Sequence, residues 1–229
     1  MQNELNFILQ VSDVECEQLL LNRPANESSS TSLRSQHNSS WRELSFLSAC
    51  LSAKDICILS ASDLTPDAVK AAVVNRFTNR HYHFHSNEHF VQVKAEVIQH
   101  MQSFFASKQH ESELMARFET FSVSIDELDM ELTQHFHMMY YEPSSNCYIV
   151  QRLMSDPNEA LLELYYHTTA IFAAKAFNDV ALRFEVLYPL CGKVMKWQHN
   201  SQEIQPSLDY MTILRTLLLD SKNNTTLLI

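Results

Sequence analysis

Glycine is almost missing from this chain. Gly192 is the only one in 229 residues, where average usage near 7% would give roughly 16. Whatever needs a bare backbone or routine positive φ is therefore hard to build. Primed hairpin turns, phosphate-cradling loops and the three-glycine turn of dinucleotide-binding folds all fall in that class. The same shortage removes the G-x-S-x-G nucleophile elbow, the kinase glycine-rich loop and the Walker A loop. Helices, which lose stability when glycine enters their interior, tolerate the shortage best.

Other absences narrow the reading further. The five cysteines, Cys16, Cys50, Cys57, Cys147 and Cys191, are odd in number and have no C-x-x-C spacing, so neither a disulfide framework nor a zinc ribbon is indicated. They read as buried, reduced thiols. The opening residues MQNELNFILQ lack the basic and sustained apolar regions of a signal peptide, and no run approaches eighteen apolar residues. This predicts a cytoplasmic protein without direct membrane insertion. The sequons at Asn26, Asn38, Asn223 and Asn224 are then ordinary polar residues. Basic residues are outnumbered 17 to 27, a formal net charge of −10. No cluster of Lys and Arg offers the footprint that a phosphate backbone requires, so nucleic acid is not expected as a partner.

What is present is a globular composition, 45% hydrophobic and 10% aromatic, with apolar residues mostly three and four apart. Leu5, Ile8, Leu9, Cys16, Leu19 and Leu20 suggest an N-terminal helix within residues 1–21. Residues 22–40, NRPANESSSTSLRSQHNSS, read as a flexible Ser/Asn-rich linker. The main domain then spans 41–229. Its helices are predicted from Trp41, from Thr65-Pro66-Asp67 (N-cap, first position and dipole charge), from about Asn87 to Lys108, and from Pro206 to about Asp220. Asp156-Pro157-Asn158-Glu159 is a further helix start. Ser124-Ile-Asp-Glu127 matches a capping box, and Leu128, Leu132, Phe136 and Met139 follow at helical spacing. Leu114, Phe118 and Phe121 form a short stripe, and Phe184 and Leu187 another. Ile56, Cys57, Ile58 and Leu59 fit a short strand as well as the end of a buried helix. The expected fold class is all-α: an irregular domain of seven to nine helices, with a minor strand admitted near 56–59.

Two groupings carry metal chemistry in principle. His81, His83, His85, Glu88 and His89 lie within nine residues, and imidazole with carboxylate is a transition-metal ligand set. The first three share a face only if extended, and His85 with His89 only if helical. A solvated turn leading to an N-cap near Ser86, with Tyr82 and Phe84 covering the core, is the simpler account of the segment. The second grouping is Glu four residues before His: Glu96 and His100, Glu131 and His135, Glu163 and His167. On helices each pair shares a face, but helical di-iron proteins use the i,i+3 spacing, which is missing here.

The sequence thus favours a non-enzymatic interaction protein: an adaptor, accessory or scaffold subunit of a larger assembly, without cofactor, whose partners are other proteins. A bacterial secretion or effector-recruitment complex is one setting that uses such subunits. The contact residues it points to are Leu214, Leu217 and Leu218 on the terminal helix and Met138 and Tyr141 in a Met/Tyr run. A helical His/Glu metal-binding protein or metalloenzyme is the alternative, and an apolar small-molecule cavity a third reading.

Overall fold

A computed structural model describes residues 8–21, 40–106, 112–177, 180–199 and 204–226, with side chains of the last helix to residue 221. Most of the predicted 22–40 linker, the sequons at Asn26 and Asn38 and the apolar end Leu227–Ile229 lie outside the described residues. Several predicted helices are present. Helix α2, Trp41–Ile56, opens with a capping box between Ser40 and Glu43. Helix α3, Pro66–Arg76, has Thr65 as its N-cap and Pro66 in its first turn, and α4 is Asn87–Ala106. Helix α5, Glu159–Ala176, is capped by the Asn158 side chain on the Leu161 N–H, and α6 is Gln205–Thr226. Each begins where a side-chain oxygen, or a proline that needs no N–H partner, meets the start of an apolar stripe.

The all-α expectation is wrong, because a six-stranded mixed sheet lies among these helices. Strand β1, Leu9–Ser12, precedes a short helix α1, Asp13–Leu20. Strands β2, Glu113–Ile125, β3, Met130–Glu142, and β4, Cys147–Leu153, form consecutive antiparallel hairpins. Helix α5 then crosses over to β5, Ala181–Tyr188, which lies parallel to β4, and β6, Lys193–His199, returns antiparallel to β5. Residues 56–59 are not a strand: Ile56 ends α2 and Cys57 begins a turn. The Ser124–Glu127 box caps no α-helix. Ser124 Oγ donates to Asp126 Oδ1 at 2.7 Å, and a single 3-10 turn, Asp126–Leu128, closes the β2–β3 hairpin with Asp129 at φ 44°. Asp tolerates that left-handed conformation better than most residues, so the hairpin closes without glycine.

Strand β3 read as a helix for two reasons. Met130, Leu132 and Phe136 point to one core at the two-residue period of a strand, but the intervening core position is Gln134, buried because it donates to Thr169 Oγ1 at 2.7 Å. The pattern then changes parity at His137. Met139 continues the same core, while Met138 and Tyr140 enter the opposite one. A polar gap followed by a one-residue offset gives Leu132, Phe136 and Met139 helical spacing. Strand β2 changes parity with it: Phe121, Val123 and Ile125 pack as odd residues, Ala116 as an even one, and Phe118 between them has φ 51°.

The sheet separates two apolar cores. One lies against α1, α5 and α6 and includes Phe136, Leu164, Phe172, Phe184 and Leu214. The other lies beneath α2, α3 and α4 and includes Ile56, Val73, Val97, Phe105, Met138 and Leu187. This three-layer arrangement explains the apolar runs of β4 and β5, which are covered on both faces.

The N-terminal segment is built into the sheet. Strand β1 pairs in parallel with residues 130–133 of β3, on the edge that β4 occupies further along. Beyond the last pair, Asp13 Oδ2 accepts from the His135 N–H at 3.2 Å and from Arg152 Nη1 at 3.3 Å. The Arg152 guanidinium lies 3.3 Å from the Tyr165 ring centroid, and Tyr165 donates to Glu17 at 2.8 Å. Because Asp13 and Arg152 are nearly enclosed, Arg152→Met leaves a buried carboxylate uncompensated and is expected to cost about 3–5 kcal/mol. Urea denaturation checks this, with Asp13→Asn/Arg152→Met recovering part of the loss.

The one glycine sits where its conformation is required. Gly192 has φ 71° in the β5–β6 turn, and a Cβ there would collide with the His100 imidazole, whose Nδ1 lies 2.8 Å from the Pro189 carbonyl oxygen. Gly192→Ala is expected to destabilise the fold by about 1–3 kcal/mol through strain and displacement of His100, read as a lower urea midpoint at unchanged m-value.

Candidate functional site

The histidine segment forms an aromatic joint. His81–His83 is a 3-10 turn, and Ser86 Oγ caps α4 by accepting from the His89 N–H at 3.1 Å. The His85 and His89 rings meet at a tilt, 4.6 Å apart, and Trp41 meets His89 edge-on at 4.8 Å. His83 packs on Tyr82, and His81 lies beside Phe90. Glu88 is exposed, its carboxyl held low by its own backbone N–H and by Ser86. Among the described residues, no three His, Cys, Asp or Glu side chains are grouped to hold a metal ion.

The Glu/His pairs contribute to no group of three ligands among the described residues either. Glu131 and His135 lie on a strand, and the His135 ring contacts Thr120 Oγ1 at 3.1 Å. His167 packs flat on Tyr210 and bonds Ser207 Oγ at 3.0 Å. Of the expected contact residues, Leu214, Leu218 and Met138 are buried in the chain's own cores and Leu217 is 46% exposed. Tyr141 packs on Tyr148 and donates to Asn146 Oδ1 at 2.9 Å. Cys16, Cys57 and Cys147 are buried as expected, Cys50 is half-buried and Cys191 is exposed. Burial pushes the Cys50 thiol up to about 12, which keeps it protonated.

A cavity of about 480 Å³ lies on the α2 side of the sheet. It lies where α2 stops at Ile56 and the chain turns away through Cys57–Ala61, so the helices no longer cover that end of the sheet. Ile56, Ile58, Leu59, Leu64 and Leu114 form apolar walls. The floor is polar and crosses β3, β4, β5 and β6 in rows fixed by strand register. One row is Gln151, Glu185 and Lys196; the next is Tyr140, Ile149 and Arg183; Glu142 lies one row beyond. Rows of this kind are about 7 Å apart.

Within the floor, Gln151 Nε2 donates to Glu185 Oε2 at 2.8 Å and Lys196 Nζ pairs with Glu185 Oε1 at 3.0 Å. Arg183 Nη2 lies 3.5 Å from Glu142 Oε2, which also accepts from Ser145 Oγ. Glu142, Glu185 and Gln151 are only 3%, 5% and 5% exposed. Glu142 Oε1 and Gln151 Oε1 are buried with no hydrogen-bond partner among the described residues. Buried acceptors are normally satisfied, so two in one cavity mark a place where donors are wanted. Apolar walls around a few convergent polar groups are the usual form of a binding site.

Sequence reasoning missed this site because it missed the strands. The signal was present as Gln151, Arg183 and Glu185, polar residues breaking the otherwise apolar runs of β4 and β5. Comparison with protein families and with curated proteins finds no match for this sequence.

Behind the floor, His137 stacks on Phe118 at 5.0 Å, and its Nδ1 accepts from the Leu153 N–H at 3.1 Å. Burial, then the nearby Arg152 and His135, hold its pKa well below 6.5. His135 and His167 are lowered chiefly by burial as well. The unfolded chain therefore binds protons below about pH 6.5 that the folded chain refuses. Stability is full above that value and falls as pH drops toward the folded-state values. The urea midpoint should be flat between pH 7 and 8 and decline from pH 6.5 to 5, and His137→Gln, which keeps an acceptor without the titration, should flatten that decline.

Proposed function

We propose that this chain is a non-enzymatic interaction protein whose cavity receives a segment of a protein partner. The observation that carries this reading is the cavity itself: apolar walls standing over a floor with two buried acceptors that lack partners. In the floor Lys196 pairs with Glu185 at 3.0 Å while Arg183 comes only within 3.5 Å of Glu142, so polar groups are fixed in place and one carboxylate is left incompletely paired, an arrangement suited to recognition.

A polypeptide suits the site better than a small ligand, because apolar exposure continues beyond the cavity. Ile58 in the wall is 58% exposed, Leu114 37% and its neighbour Met115 48%. Leu47 and Leu51, one turn apart on the helix that ends at the cavity, are 54% and 40% exposed. A bound segment covers the cavity and part of this surround together. The chain then serves as a binding subunit of a larger assembly.

Panning a random twelve-residue displayed peptide library on the full chain tests this. Ala61→Trp, an exposed substitution at the cavity lining, fills the site without disturbing the core and serves as the control. Peptide families should bind the natural chain with micromolar Kd, about 8 kcal/mol, and lose at least tenfold on Ala61→Trp at unchanged Tm. No enriched family, or equal binding to Ala61→Trp, would overturn the reading.

A further inference from the structure

The unpartnered atoms of the floor are of one kind. Both Glu142 Oε1 and Gln151 Oε1 are acceptors, and both residues are at least nine-tenths buried. The existing partner of Glu142 is remote for a charge-assisted bond: Arg183 lies at 3.5 Å, where about 2.7–2.9 Å is usual. The carboxylate is thus weakly paired on one oxygen and buried without a partner on the other. Glu185, by contrast, has a donor on each oxygen, from Gln151 and Lys196.

Building on the segment-binding reading, we infer that the partner's segment is basic: an arginine or lysine side chain seats its charged end on Glu142, and a hydrogen-bond donor further along the segment meets Gln151. The aliphatic stem of such a side chain packs against Ile149 and Leu114 while its head reaches the carboxylate. An anionic side chain would meet Arg183 and Lys196 as well as the two carboxylates, but like an apolar one it would leave both buried acceptors without a donor. Glu142 and Gln151 lie two rows apart, since Gln151 is paired with Met138, four residues along β3 from Glu142. That is about 14 Å, the span of roughly four extended residues. One small cation cannot bridge it, whereas a segment can. The net charge of −10 also draws a basic segment toward the chain.

The test uses the peptides selected above on the full chain. Peptides whose binding is lost in Ala61→Trp should carry Arg or Lys at one fixed position. Replacing that residue by its neutral near-isostere, citrulline for Arg or norleucine for Lys, should weaken binding about 10- to 100-fold. This substitution leaves the protein untouched, so folding is not in question. Glu142→Gln, with its Tm checked, should weaken the basic peptide by a similar factor and abolish its advantage over the neutral analogue. Cavity-dependent peptides with no basic position, or equal affinity for the neutral analogue, overturn the basic-segment inference while leaving the segment reading intact. L-argininamide alone binding as tightly as the peptides shows a small-cation site and overturns the segment as occupant. The absence of any cavity-dependent peptide overturns both.

Discussion

The fold depends on one strand, β3, and on the local twist that lets it serve two cores. It is thirteen residues long, pairs with β2 along nearly its whole length, and shares its other edge between β1 and β4. Three of the six strands are therefore held in register by a single segment. A regular strand presents each parity to one face only. At His137, with Phe118 at φ 51° opposite, the parity changes. The first half of β3 can then keep a polar outer face, where Ser122 bonds Thr133 at 2.8 Å and Thr120 bonds His135, while the second half is buried on both sides. The His137 ring fills the offset, stacked on Phe118 and accepting the Leu153 N–H.

That arrangement sets where the helices sit. Helix α5 lies over the face that β2 and β3 share, through Phe121, Phe136 and Phe172. Helices α2, α3 and α4 cover the opposite face only around Met138, Tyr140, Leu153 and Leu187. Beyond the C-terminal end of α2, the sheet continues through Glu142, Arg183 and Lys196 without a helix above it, and the cavity is this uncovered stretch. Its floor residues sit in rows because strand register places them there. The burial of Glu142, Gln151 and Glu185 makes their hydrogen-bond needs specific, since an unsatisfied acceptor is tolerable in water and costly out of it.

The N-terminal segment shows how charge can extend a sheet. Where β1 turns into α1, the Asp13 carboxylate takes the next backbone N–H of β3 and recruits Arg152 from β4. One residue thereby joins three strands and, through the Arg152–Tyr165–Glu17 chain, the helices α1 and α5. Among the described residues, no helix is long and apolar enough to cross a membrane. Apolar side chains left exposed include Ile58 at the cavity wall, Leu47 and Leu51 on α2 and Met115 on β2.

The sequence by itself determined the helices whose ends are written locally: Thr65 with Pro66, Ser86 ahead of α4, Asn158 before α5, and Pro206 in the first turn of α6. Caps act within four residues, so their chemistry is visible without the fold. The strands were decided by tertiary structure. Gln134 is tolerated in the core only because Thr169 lies opposite, and the parity change at His137 only because a second core lies beneath Met138. The cavity followed the same rule: Glu142, Gln151, Arg183, Glu185 and Lys196 are scattered over 55 residues of sequence. Strand pairing, a long-range property that no local pattern encodes, brings them onto one floor.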